Sequence, residues 1–292
     1  MAEQSGPVIA LVSPGAMGSA VAARLGEHGA RVVTSLKGRS ARSAARAAEA
    51  GMVDVPDEQL VRADIILSIL PPADAEAMAR RLIPHLAATA EKPLYVDFNA
   101  LGPDSKQALA ALFAEAGCTM IDGAIIGLPP RRGETGPSFH VAGPEASRAA
   151  WLGNHGLDLR LLDGPIGAAA ALKMCFAGLN KGLVGLASAM LLAGQRSESG
   201  HALHGQLEER MPELLGRFRL QIPDMYGKAY RWVAEMREIA DFLRDDPAAA
   251  MIFEGMAQLF ERLAADAAGN RSETAMLDRA LRLDGGNAEG TG

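Results

Sequence analysis

Short apolar runs, each broken by a turn residue and followed by a helical stretch, alternate through the first 164 residues. Val8–Val12 stops at Ser13-Pro14-Gly15, and an Ala-rich helical stretch follows. Arg31–Thr34 precedes an Ala/Arg helix that runs to Ala50, and Asp64–Leu70 stops at Pro71-Pro72 before a helix from about Ala73 to Leu86. Leu94–Phe98 is followed by a helix over Asp104–Ala116, and Thr119–Asp122, Ser138–Ala142 and Leu159–Leu162 read as later strands. Runs that are apolar at successive positions, not at alternate ones, belong to strands buried on both faces. With helices between them they predict right-handed crossovers and an α/β fold, a Rossmann-type doubly wound parallel sheet. Past Gly164 the pattern changes to helical spacing alone. One long helix is expected over Ile166–Leu192, with others at His204–Arg219, Asp224–Arg244, Ala248–Ala267 and Glu273–Arg282. The expected organisation is a nucleotide-binding domain over 1–164 and an all-α domain over 165–283. The Gly-rich tail 284–292 is expected to be disordered.

Strand, tight turn and helix in that order form the phosphate-binding corner of a dinucleotide fold. Here the turn is Ser13-Pro14-Gly15-Ala16-Met17-Gly18. Gly15 lets the backbone approach a pyrophosphate, Gly18 lets helix and strand pack closely, and the free N–H groups of the helix start face the anion. Ser13 occupies the place of the first glycine of G-x-G-x-x-G, so a plain structural turn remains the other reading. About 20 residues on, where an acidic side chain would bind an NAD ribose, the chain has none. Ser35, Lys37, Arg39 and Ser40 stand there instead. Two charges and two hydroxyls suit a 2′-phosphate, hence NADP with NAD as the alternative; a solvated basic loop is the competing reading. Ligands of such sheets bind beyond the carboxyl ends of the strands, which adds Leu70, Pro71 and Asn99 to the expected cofactor contacts.

Composition narrows the classes. The net charge of −6, with no run of clustered Lys or Arg, argues against nucleic acid. Cys118 and Cys175 form neither metal spacing nor a disulfide framework, and no metal site is expected. The start MAEQSGP lacks the basic and apolar regions of a signal peptide, and Leu183–Leu192 is too short to span a bilayer. A soluble, cytoplasmic protein with no membrane partner is the expectation.

The ordered motifs S-P-G-A-M-G at 13–18, S-I-L-P-P at 68–72, D-F-N-A at 97–100, D-G-A-I-I-G at 122–127, G-A-A-A-A-L-K-M at 167–174 and R-W-V-A-E-M-R-E-I-A at 231–240 span nearly the whole chain. With them the chain resembles the β-hydroxyacid dehydrogenase and 6-phosphogluconate dehydrogenase superfamily, which also contains the imine reductases. I-I-G-L-P-P at 125–130 and N-K-G at 180–182 resemble a branch with a helical second domain and no assigned substrate. The resemblance implies a small-molecule substrate and a homodimer built on the helical half. Two positions depart from it. A substrate-contacting serine of the superfamily corresponds to Ile126, and the asparagine three residues after the conserved lysine corresponds to Phe176.

Hydride chemistry needs a group that gives or takes a proton. Lys173 is the only charge between Asp163 and Lys181, on a stretch otherwise built from Ala, Leu, Met and Phe. Partial desolvation would lower its pKa toward a useful range. The resemblance assigns the matching lysine as general acid/base; a lysine snorkelling to the surface is the alternative. Asn180, seven residues on, shares nearly the same helix face. It either bonds a substrate oxygen or helps Lys181 pin the helix. Glu235 borders the apolar stripe of Trp232, Met236, Ile239 and Leu243, and is either the acidic partner the resemblance implies or half of a surface pair with Arg231. Gly178, Gly182 and Gly185 point to close helix packing. His140, His155, and the pair His201 and His204 in a polar loop show no evident partners, so no histidine is assigned to catalysis. The expected activity is NADP-dependent hydride transfer to or from a small hydroxy or keto acid or related carbonyl compound, with Lys173 as proton donor or acceptor. Imine reduction is the runner-up, and a non-catalytic NADP-binding protein is the reading from another class, kept open by Ser13 and Ile126.

Overall fold

The computed structural model describes residues 6–282; the tail expected to be disordered lies outside them. The chain divides into two units that meet between Lys173 and Met174. The first unit holds β1 (Val8–Val12), α1 (Ala16–Glu27), β2 (Arg31–Thr34), α2 (Ala41–Glu49), β3 (Val53–Asp54), α3 (Asp57–Leu60), β4 (Ile65–Ser68), α4 (Ala75–Ala88), β5 (Leu94–Asp97), α5 (Pro103–Glu115), β6 (Met120–Ile126), β7 (Ser138–Ala142) and β8 (Asp158–Leu161). These strands form one sheet in the order β3-β2-β1-β4-β5-β6-β7-β8. All neighbours are parallel except β6 and β7. The direction of winding reverses between β1 and β4, the crevice where such sheets bind ligands.

Alternate residues of each strand feed two cores. Ile9 and Leu11 of β1, with Ile65, Leu67 and Val96, pack on Val21, Ala22 and Leu25 of α1. Ala10, Val12 and Ile66 pack on Met78, Leu82 and Leu86 of α4 and on Leu109 and Phe113 of α5. Burial on both sides is why these strands carry so few polar residues.

Three elements differ from the sequence pattern. β6 runs on to Ile126, beyond the expected end at Asp122, because antiparallel pairing with β7 sets Ala124 against His140 and Ile126 against Ser138. Gly123, just past the expected end, is a packing residue: a Cβ there would lie 2.5 Å from the Phe98 ring. The two-residue β3 and the 3₁₀ segment Ala146–His155 carry too little periodicity to stand out.

α6 (Ala168–Arg196) begins in the first unit and continues into the second, which adds α7 (Gly200–Arg210), α8 (Pro212–Tyr226), α9 (Ala229–Phe242), α10 (Pro247–Ala268) and α11 (Ser272–Arg282). The expected helix His204–Arg219 is two helices broken at Pro212, which cannot donate an N–H across the junction. The expected helix Asp224–Arg244 is likewise divided after Tyr226, at Gly227. His201 and His204 lie on α7, not in a loop, and buried His204 bonds the Ala280 carbonyl through Nδ1 at 2.8 Å. The glycine face of α6 is filled from within the chain. A Cβ at Gly178 would meet Phe253 at 3.1 Å, and one at Gly185 would meet Phe260 at 3.2 Å, both on α10. That face is therefore not a surface for a second copy. Among the described residues α6 is the one helix long and apolar enough to cross a membrane. The apolar stretch is thus longer than Leu183–Leu192, and its glycine side belongs to the helical core.

Candidate functional site

The turn after β1 has the geometry an anion site needs. Ser13 takes φ +82°, the left-handed conformation a first glycine would supply, at a cost of about 1–2 kcal/mol. Gly18 could carry no side chain, since its Cβ would sit 2.3 Å from the Ser13 carbonyl oxygen and 3.0 Å from Leu11. Gly15 is the reverse: a Cβ there would meet no protein atom within 4 Å. Gly15 is also the N-cap of α1, which has no side-chain cap and no acidic residue in its first turn. Pro14, Ala16 and Met17 complete the turn and the helix start, and this cradle, open at Gly15, fits a pyrophosphate.

The β2–α2 loop is less free than its sequence implies. Ser35 is buried and its hydroxyl accepts a hydrogen bond from Arg81 Nη2 at 3.0 Å. Ser40 caps α2 by accepting from the Ser43 N–H at 3.2 Å. Both serines therefore have structural partners. Lys37 is exposed and Arg39 half-buried, in a turn closed by the Arg39 N–H to Leu36 carbonyl bond at 2.9 Å. The loop also has carboxylates beside it, contrary to its sequence. Asp54 accepts the Leu36 N–H at 2.8 Å, and Asp57 of α3 is gripped by Arg81 of α4. The Arg81 hydrogen bond holds the Asp57 carboxyl below its usual range.

At the carboxyl ends of β4 and β5, and beside Asp122 and Gly123 of β6, lies a buried polar network. Asn99 is 2 % exposed; its Nδ2 donates to Ser68 Oγ at 2.9 Å and Asp97 Oδ2 at 2.6 Å, and its Oδ1 accepts the Leu70 N–H at 2.5 Å. Both amide hydrogens are committed, so Asn99 acts on the site by fixing the backbone of Leu70 ahead of Pro71. Beneath it Lys106 of α5, fully buried, donates to Asp97 Oδ1 at 2.6 Å, the Asp97 carbonyl at 2.5 Å and the Gly123 carbonyl at 3.0 Å. Its Nζ lies 3.4 Å from Asp122 Oδ1. The other oxygen of Asp122 accepts the N–H groups of Gly167, Ala169 and Ala170 and so caps the start of α6. Hydrogen bonds from Leu70 to Lys106, the Lys106–Asp122 ion pair and the Asp122 cap thus link Leu70 to the helix that carries Lys173 one turn further on.

Lys173 is half-buried on α6, at the end of the first unit. Asn180 and Glu235 belong to the second. Asn180 Oδ1 accepts from Arg217 Nη2 at 2.5 Å. Glu235 pairs with Lys181, which also lies over the Trp232 ring, so its cation is Lys181 and not Arg231. His140 bonds Ser138 Oγ at 3.0 Å, and burial pushes its pKa down. Lys106, Asp57 and Arg81 escaped the sequence reading. Lys106 alone had a signal: it stands at the apolar spacing of Leu109 and Phe113 on α5.

The sheet order and the turn at Gly15 define a dinucleotide-type α/β unit followed by a helical one. Residues 8–100 match the family model described as NADP oxidoreductase, coenzyme F420-dependent, and residues 200–263 match that of a domain of unknown function, DUF1932. The conserved protein MTH1747, described as structurally similar to 3-hydroxyacid dehydrogenases, is 25% identical, with 89% of this chain and 98% of that one covered at a TM-score of 0.77. 3-Hydroxyisobutyrate dehydrogenase of Mycobacterium tuberculosis is 19% identical over 95% and 99%, at 0.69. An imine reductase from Myxococcus stipitatus, solved with NADP+, is 16% identical over 94% and 100%, at 0.57. No curated protein matches the sequence. These matches support the β-hydroxyacid dehydrogenase superfamily that the motifs resemble.

Proposed function

We propose that the protein is an NADP-dependent oxidoreductase acting on a small hydroxy, keto or imine compound. The observation that carries the reading is the pair Gly15 and Gly18: one keeps space open at the start of α1, the other has no space at all. Backbone N–H groups of Ser13 and of Gly15 to Gly18 would hold the pyrophosphate with Pro14 shaping the turn, Arg39 with Lys37 the adenosine phosphate, and Leu70 and Pro71 the nicotinamide side. The nucleotide, when bound, supplies or takes up a hydride. Lys173 then gives a proton to the substrate oxygen or nitrogen on reduction, or takes it on oxidation. Asn180 and Glu235 are retained as candidate substrate-side residues, although each has a partner within the helical unit.

Imine reduction is the second reading, favoured by apolar Ile126 at the carboxyl end of β6, where the superfamily places a substrate-contacting serine. The test is NADPH oxidation, followed by absorbance, against short keto acids and cyclic imines. Turnover of either set supports the oxidoreductase. Tight NADPH binding with turnover of neither favours a non-catalytic nucleotide-binding protein.

We also place the protein in the cytoplasm as a homodimer. With the glycine side of α6 filled from within, support for the dimer comes from Phe176, Leu179, Leu186 and Met190, which are exposed at helical spacing along α6. Light scattering should give the mass of two chains at micromolar concentration; the mass of one would refute the dimer.

A further inference from the structure

Of the two carboxylates beside the β2–α2 loop, Asp54 is exposed and accepts the Leu36 N–H, whereas Asp57 is buried. It is 6 % exposed and sits against the loop, close enough to Ser35 and Lys37 for both to help stabilise its charge. An acidic side chain at this corner of a dinucleotide fold selects a free ribose diol, and it repels a phosphate on that ribose. Here the carboxylate is closed off. Arg81 reaches across from α4 and takes both of its oxygens, Nε to Oδ2 at 2.7 Å and Nη2 to Oδ1 at 2.5 Å. The same Nη2 donates to Ser35 Oγ, and Nη1 reaches the Lys37 carbonyl at 3.4 Å. Each carboxylate oxygen already accepts from the guanidinium, in bidentate geometry, and the pair carries no net charge.

We infer that Arg81 is a specificity-determining residue: by masking Asp57 it converts a diol-selecting corner into one that accepts a 2′-phosphate monoester. Arg81 is thus a positioning residue. It silences the carboxylate and holds Ser35 and the Lys37 backbone, which leaves the phosphate to Lys37 and Arg39. The inference rests on the reading of this loop as the adenosine 2′-phosphate site.

Dissociation constants for NADPH and NADH, measured by fluorescence titration, test it on the wild type, Arg81→Met and the double variant Asp57→Asn/Arg81→Met. In Arg81→Met the exposed carboxylate should cost NADPH on the order of 10- to 100-fold in affinity, with NADH unchanged or tighter. The double variant, which has neither charge, should recover NADPH binding to within roughly fivefold of wild type. A change confined to packing would move both nucleotides together and would not be rescued by Asp57→Asn. Equal weakening of both nucleotides in Arg81→Met, or a preference for NADPH kept intact, overturns the inference alone. Should Arg81→Met fail to fold, the double variant still decides, because loss of its NADPH preference contradicts the masking role. A wild type that binds NADH as tightly as NADPH instead overturns the loop reading, and the inference with it.

Discussion

Lys173→Met should lower turnover by roughly 10²- to 10⁴-fold, the usual contribution of a positioned general acid or base, while the NADPH dissociation constant stays within about twofold of wild type. The two effects separate because Lys173 lies on α6, away from the turn at Gly15 in sequence and element, and contributes a proton and not a phosphate contact. Methionine keeps most of the side-chain volume and the apolar stem, so the helix should remain packed. Single-turnover absorbance at saturating NADPH, with whichever substrate class the wild type accepts, is the measurement. Turnover within a few-fold of wild type would remove Lys173 from the mechanism.

Lys106→Met should destabilise the nucleotide-binding unit by roughly 3–5 kcal/mol, because it leaves Asp97 and Asp122 buried without their shared cation. Both carboxylates are fully buried, as is Lys106 itself. Asp122 is partly compensated by the three N–H groups at the start of α6, and Asp97 by Asn99, so the lost cation, not the lost geometry, dominates. For a unit of this size the expected fall in Tm is on the order of 10 °C. The double variant Lys106→Met/Asp97→Asn, which removes one of the stranded charges, should recover part of that loss. Calorimetry of the three proteins checks it; a Tm for Lys106→Met within 2 °C of wild type would show that the network is not held by its charges.

The frame of the first unit was legible because the burial that makes β1, β4 and β5 forces contiguous β-branched and aliphatic residues, and because Gly15 and Gly18 each answer a local steric demand. The ends of elements were less legible. β6 is lengthened by β7, a partner whose pairing no local run announces, and the helices after α6 break at Pro212 and Gly227 where the apolar spacing continues. The polar networks were not legible at all. Asp57 and Arg81 are 24 residues apart and Ser35 and Arg81 are 46 apart, brought together only by the crossovers of the sheet. For the same reason the basic loop looked free of carboxylates. In the helical unit, the partners of Asn180 and Glu235, Arg217 and Lys181, are chosen by packing that spacing alone does not determine.

A nicotinamide nucleotide is expected to lie on the turn at Gly15. Gly15 has an ordinary φ of −70° and empty space where its Cβ would be, so Gly15→Leu strains no backbone and its Cβ meets no neighbouring atom. Its Tm should stay within about 3 °C of wild type. The leucine side chain would occupy the space of the pyrophosphate, and NADPH affinity should fall by roughly 100-fold or more. Titration of NADPH into wild type and Gly15→Leu therefore decides the matter: saturable binding by the wild type and its loss in the variant is the result predicted, and equal affinity in the two proteins would contradict it.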